Sequence, residues 1–256
     1  MISNKEIKYL SSLKQKKNRM LNKEILIEGS KLIIDAIKNK KTIKKIFYCY
    51  KDENFNYIRE NSKVLNIKLL LCSEKDAERI SDTKNSQKIF ALLSFELPLY
   101  LSNHNKISDK IIIIDGISDP GNMGTILRTC SWFGFYNIIM SHNSVDLYNP
   151  KTVRSAMGAH FHMNTIYKDS IQNIINFFKD NKYKIIAAHL DGKEIESLTI
   201  DDSKWALILG NEANGLSDYS IKSANTLIKI DGEKSMESLN VAEAGSIIMH
   251  HLYQLK

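Results

Sequence analysis

Residues 110–117 read Lys-Ile-Ile-Ile-Ile-Asp-Gly-Ile, and no other stretch of the 256-residue chain limits the fold as strongly. Four successive isoleucines leave a strand without a polar face, so it must be buried on both sides, as central strands of parallel sheets are. Parallel neighbours need long crossovers, usually helical. The sequence that follows supplies them. An apolar helix is predicted over 125–133, closed by Gly134 as a C-cap. Then come a strand at 136–141, a helix after Pro150, a helix at 170–181, strands at 184–190, 204–210 and 226–230, and a last helix from Val241. This is the pattern of a doubly wound α/β sheet.

A second alternation precedes it. Strand-like residues from 24 turn at Gly29–Ser30 into a helix, followed by a strand at 43–50, a helix at 54–66, a strand at 68–73, a helix at 74–80 and a strand at 88–97. A smaller α/β/α unit is therefore predicted over 1–97. Residues 98–108 are polar, contain Pro98 and suit a linker, which leaves 109–256 as the larger unit. Residues 1–23 read as a basic amphipathic helix or arm.

Charge is unevenly spread. Residues 1–107 carry 22 Lys/Arg against 12 Asp/Glu, whereas 108–256 carry 14 against 17, so the net +7 comes from the first part. A concentrated basic region is the footprint of a polyanionic partner. The three cysteines (Cys49, Cys72, Cys130) lack metal-ligand spacing and fit free thiols in a reducing compartment. No run approaches the roughly 18 apolar residues of a membrane span, and no apolar leader opens the chain, so a cytoplasmic protein is expected. His160 and His162 have no further ligands nearby in sequence, and no metal is expected.

Three segments join apolar strands to helices through small polar residues, where open α/β sheets bind ligands. The first is DPGNMGTILRTCSWFG (119–134), the second LILGNEANGLSD (207–218), the third SLNVAEAGSII (238–248). Asn122 reads as the N-cap of the helix that follows it. Arg128 falls away from the face carrying Ile126, Leu127, Cys130 and Phe133. Taken alone it is a solvated charge. GNEANG (210–215) is an Asn/Gly turn, and Asn240 with Glu243 fits a capping box.

In this order and spacing the three segments resemble the motifs of the SpoU family of RNA ribose 2′-O-methyltransferases, within the SPOUT superfamily. The resemblance implies an α/β fold with a knotted, Rossmann-like parallel sheet (a trefoil) and S-adenosyl-L-methionine as cofactor. Carried onto this chain, it implies catalytic roles for Arg128, Asn122, Glu212, Ser238 and Asn240. Gly210, Asn211, Gly215, Ile230 and Leu239 would form the cofactor pocket. Glu212 would hold the loop geometry or position Arg128. Asp231–Gly232 depart from the Pro-Met that many relatives carry after the position of Ile230. A fourth segment, YNPKTVRSAMGAHF (148–161), is also similar to the family and offers Lys151 and Arg154 for RNA phosphates. The stretch KQKKNRMLNKEILIEGSKLIIDAI resembles the substrate-binding domain fused before many such enzymes, itself similar to RNA-binding ribosomal proteins, with Arg19 as an RNA contact. That domain favours ribosomal over transfer RNA as substrate. Family members dimerise, and Ile247, Ile248, Met249 and Leu252 of the last helix would suit such packing. Two rivals are disfavoured: a non-catalytic RNA-binding or ribosome-assembly factor of the same fold would lack Arg128, Glu212 or Asn240, and all three are present; an ordinary Rossmann enzyme would need a G-x-G-x-x-G turn, where this chain reads DGISDPGNMG with the glycines misplaced.

Overall fold

A computed structural model describes residues 2–99, 101, 108–163, 165–200, 204–233 and 238–255, so most of the expected linker lies outside the described residues. The chain divides into two compact units, one of Met1–Leu97 with Asp146–Phe161, the other of Pro98–Val145 with His162–Lys256.

In the second unit the isoleucine run is β5 (Lys110–Ile114), and Ile111 to Ile114 are wholly buried. It stands inside a six-stranded sheet with β6 (Asn137–Ser141), β7 (Thr165–Asp169), β8 (Lys184–Glu194), β9 (Trp205–Leu209) and β10 (Thr226–Lys229), in the order β10-β8-β9-β5-β6-β7. Each adjacent pair is parallel. The period-two alternation of strand side chains sends Ile111 and Ile113 into one core with Ile174, Ile175 and Phe178 of α8 (Ile171–Asp180). On the opposite face α6 (Pro120–Phe133) packs against α10 (Val241–Gln254). A Cβ on Gly245 of α10 would lie 2.9 Å from Leu209 Cδ1, so this helix approaches the sheet closely. The reading of a parallel α/β sheet is correct. Two elements were not predicted: β7, whose sequence TIYKD is short and half polar, and α9 (Asp218–Ser223), which is only six residues long.

In the first unit a four-stranded sheet runs in the order β1-β4-β2-β3. Its strands are β1 (Glu24–Glu28), β2 (Ile43–Tyr48), β3 (Lys68–Leu71) and β4 (Ile89–Ser94). Helices α3 (Ser30–Lys38) and α4 (Phe55–Val64) bury Ile33, Ala36, Ile37, Phe55 and Ile58 against one face. Helices α1 (Asn4–Ser12) and α5 (Glu74–Ile80) bury Ile7, Leu10, Ala77 and Ile80 against the other. The basic arm is thus two helices, α1 and α2 (Lys16–Asn22). The segment Asp146–Phe161, which contains α7 (Pro150–Ala156), belongs to this unit by its packing: Val153 and Phe161 join the core of α3 and α4. His160 is buried there beside Phe161, with ring centroids 4.6 Å apart.

Candidate active site

The loop after β5 and the loop after β9 leave adjacent strands at their carboxyl ends, the position where open α/β sheets form a ligand crevice. Glu212 joins them. Its Oε2 accepts from the Ser118 N–H at 3.1 Å and the Ser118 hydroxyl at 3.0 Å. Its Oε1 accepts from the Asp119 N–H at 3.1 Å and from Asn122 Nδ2 at 3.0 Å. Asn122 then accepts at Oδ1 from Asn240 Nδ2, 3.0 Å away, while Asn240 Oδ1 caps α10 through the Ala242 N–H. The three motifs are therefore tied in one chain of bonds, Glu212–Asn122–Asn240. Glu212 serves loop geometry; it makes no ion pair with Arg128 among the described residues.

One expectation needs correction. Asn122 is not the N-cap of α6. The helix starts earlier, at Pro120, and Asp119 is the cap, with Oδ1 accepting from the N–H groups of Gly121 and Asn122 at 2.7 and 2.9 Å. Proline is well placed in a first turn because its missing N–H would be unpaired there anyway. Capping by Asp119 leaves the Asn122 side chain to bridge Glu212 and Asn240.

The loop after β9 closes on itself. Asn211 and Gly215 exchange backbone hydrogen bonds of 2.8 and 3.0 Å, and Asn211 Oδ1 accepts from the N–H groups of Ala213 and Asn214. Asn211 Nδ2 donates to the Gly116 carbonyl at 2.7 Å. A Cβ on Gly210 would meet the Gly215 carbonyl carbon at 2.6 Å, so only glycine permits this closure. Gly215 adopts φ +65°. Four residues not singled out in the sequence complete the frame: Asp115, Gly116, Ser118 and Asp119. Buried Asp115 accepts from the Ser220 hydroxyl at 2.7 Å and the Ser217 N–H at 3.2 Å. The only sequence sign of Gly116 was its place after a buried strand.

Other candidates stand differently. Arg128 is exposed on α6, on a face with Thr125 and Trp132, and makes no hydrogen bond or ion pair among the described residues. Ser238 and Leu239 are exposed immediately before α10, and Ile230 is partly buried just past the end of β10. No described hydrogen bond ties Ile230 or Ser238 to the Glu212 chain.

Arg19 is overturned as an RNA contact. It is 2% exposed, donates to the Leu13 and Lys14 carbonyls at 2.9 and 2.7 Å, and pairs with Asp146 at 2.7 Å. A guanidinium so enclosed cannot reach a phosphate. Arg154 is partly exposed and pairs with Asp82 at 2.8 Å, and Lys151 is exposed.

Burial alone would push the Glu212 carboxyl up. Hydrogen bonds from Asn122, Ser118 and Asp119 outweigh that and hold it below its ordinary value. A depressed folded value contributes stability above the unfolded carboxylate value, and that contribution is lost as pH falls through the folded one. The Ser118 and Asp119 amides, which donate to Glu212, should therefore lose hydrogen-exchange protection, relative to intrinsic rates, on acidification below about pH 4. Glu212→Gln should be loosened at neutral pH and lack that acid step. Identical protection profiles in the two proteins would remove the carboxylate from this role.

Residues 109–250 match the SpoU rRNA Methylase family. The chain belongs to that family. Residues 4–91 match the MRM3-like substrate binding domain. A 23S rRNA (guanosine(2553)-2′-O)-methyltransferase, RlmP, of Bacillus subtilis (strain 168) is 29% identical over 251 residues, spanning 97% of this chain and 96% of that protein. The crystal structure of an AdoMet-bound rRNA methyltransferase from Sinorhizobium meliloti superposes with a TM-score of 0.86 at 25% identity, covering 99% of this chain and 96% of that one. AviRb, a SpoU methyltransferase from Streptomyces viridochromogenes solved with AdoMet, shares the fold, with a TM-score of 0.84 at 19% identity over 98% of each chain.

Proposed function

We propose that the protein transfers a methyl group from S-adenosyl-L-methionine to a ribose 2′-hydroxyl of RNA, with ribosomal RNA as the substrate. The observation that supports it most is the Glu212–Asn122–Asn240 chain, which joins three segments far apart in sequence beside the carboxyl ends of β5 and β9, in a member of the SpoU rRNA Methylase family. The ribosomal preference rests on residues 4–91 and on the named substrate of the 29% identical relative. Transfer RNA is the alternative.

The donor set fits an adenosyl group. Backbone edges of the loop tightened at Gly210 and Gly215, held by Asn211, would accompany the apolar side chains of Ile230 and Leu239. The bound cofactor supplies the activated methyl group. Glu212 and Asn122 hold the loops in place. Ser238 and Asn240 offer polar contacts to the ribose. Among the described residues Arg128 makes no hydrogen bond or ion pair and supplies the cation of the set. A guanidinium does not give up its proton near neutral pH, so its role here is electrostatic. It would clasp the adjacent phosphate and stabilise charge developing on the 2′-oxygen. Lys151 and Arg154 would contact RNA phosphates. Surface ion pairs such as Arg154–Asp82 are weak, so Arg154 can exchange partners.

Two finer features complete the proposal: a trefoil knot in the C-terminal segment, and a cytoplasmic homodimer. Trp132 is 84% exposed on α6, with Ile247 and Tyr253 exposed on α10, and a second copy would cover them. Ile248, Met249 and Leu252 were expected to suit such packing but are buried within their own unit, so they cannot serve it.

Incubation with methyl-labelled cofactor and total RNA, followed by nucleotide mapping, tests the reading. Label should appear as a 2′-O-methyl nucleotide in ribosomal RNA, and sedimentation of the same sample should give twice the monomer mass. Label confined to transfer RNA would reverse the substrate preference. No label in any RNA would defeat the enzyme assignment.

A further inference from the structure

Cys49 and Cys72, in the first unit, take no part in the proposed reaction. Cys49 follows the last residue of β2, and Cys72 follows the last residue of β3. These strands are parallel with Tyr48 opposite Leu71, so the next residue of each strand faces the other. The Cys72 N–H donates to the Tyr48 carbonyl at 2.9 Å, which extends that register by one step. Both side chains join the apolar cluster of Phe47 and Leu70, and so lie on one face of the sheet. Their Sγ atoms are 3.3 Å apart. Neighbouring strands run about 4.8 Å apart. That falls within the roughly 4.4–6.8 Å Cα separation a disulfide spans.

We propose that Cys49 and Cys72 form a reversible disulfide by exchange with a low-molecular-weight disulfide of the glutathione type, fastening the edge strand β3 to β2. Cys49 is the attacking group. It is partly exposed, whereas Cys72 is 4% exposed. The Cys49 thiolate displaces one thiolate of the small disulfide and forms a mixed disulfide. The Cys72 thiolate then attacks Cys49 Sγ and expels the second. Two protein thiols and one small disulfide become one protein disulfide and two small thiols, and the two protons end on the released thiols.

Burial raises both protein thiols above their ordinary value, Cys72 to about 12. Since the thiolate is the nucleophile, the first step is slow at neutral pH. The second step is intramolecular between sulfurs already in contact, so the mixed disulfide does not accumulate. Cys130 is a bystander, buried in the second unit against Met249. The consequence is local. Among the described residues β3 pairs only with β2, and Ser73 caps the helix that follows, α5. A bond at Cys72 therefore pins a strand end and a helix start that are otherwise free to fray.

The test uses the full chain with excess glutathione disulfide, then alkylation under denaturing conditions and peptide mapping by mass spectrometry. The expected product is one protein molecule lighter by two hydrogens, with Cys49 linked to Cys72, Cys130 alkylated, and full reversal by a thiol reductant. Amides of residues 69–73 should exchange more slowly in the oxidised form. Cys72→Ala should accumulate a glutathione adduct on Cys49. Three alkylated cysteines in the wild type, a persistent adduct on wild-type Cys49, or a cross-link between chains would each overturn the proposal. The wild-type mapping decides the matter if Cys72→Ala does not fold.

Discussion

Replacing Arg128 with alanine should reduce methyl transfer by about 10²–10³-fold, the usual cost of removing one preorganised electrostatic group from a reaction centre. The physical reason is its environment. Arg128 sits on α6, whose first turn carries Asn122, the central member of the bonded chain, and it has no described carboxylate partner. Its charge is therefore available to substrate rather than spent on structure. Calorimetry with S-adenosyl-L-methionine should show affinity nearly unchanged, because the proposed pocket residues (Gly210, Asn211, Gly215, Ile230 and Leu239) remain. Lysine at 128 should restore little, since a point charge cannot hold a phosphate bidentately. Equal losses of turnover and cofactor affinity would move Arg128 into the cofactor pocket.

The second result concerns Arg19. Arg19→Ala should destabilise the first unit by about 3–5 kcal/mol, because it leaves a buried carboxylate without its counterion. Asp146 is 8% exposed at its side chain and would keep the Tyr148 N–H, 3.0 Å from Oδ1, but lose the guanidinium, and the Leu13 and Lys14 carbonyls would lose their donor. Both tryptophans, Trp132 and Trp205, lie in the second unit and would not report the change. Hydrogen exchange of peptides from 24–48 and 150–156 reads it directly. Asp146→Leu combined with Arg19→Met should recover much of the loss, as apolar replacements of whole buried pairs often do. A loss below about 1 kcal/mol would mean a solvated pair, and Arg19 would return as a candidate RNA contact. The same packing bears on truncation. Deleting residues 1–105 would strip Val153 and Phe161 of their core partners as well as removing basic charge. Charge substitutions at Lys151 and Arg154 are the cleaner probe of the salt dependence of RNA binding.

Side-chain chemistry repeated along the chain was legible without coordinates. The isoleucine run could only be a strand buried on both faces, and Asp115–Ser118 directly after it form a loop at its carboxyl end. The start of α6 was misplaced because Asp, Pro, Gly and Asn in succession read as a turn. They are in fact a cap and first helical turn. Weakly patterned elements, β7 and α9, passed unseen for the same reason: five or six residues carry too little periodicity. Arg19 shows a different limit. An arginine in a basic arm looks like a phosphate ligand, and its burial depends on Asp146, 127 residues away in sequence.

Composition and order alone indicated a parallel α/β unit with three small-polar segments between strands and helices, preceded by a basic α/β unit, because hydrophobic period and turn chemistry are local properties. Which side chains meet was settled by folding: Glu212 on Asn122 rather than on Arg128, Asp119 as cap, Arg19 sealed against Asp146, Cys49 against Cys72. Those pairings depend on burial and on a distance of about 3 Å between groups far apart in the chain, and no local pattern encodes that.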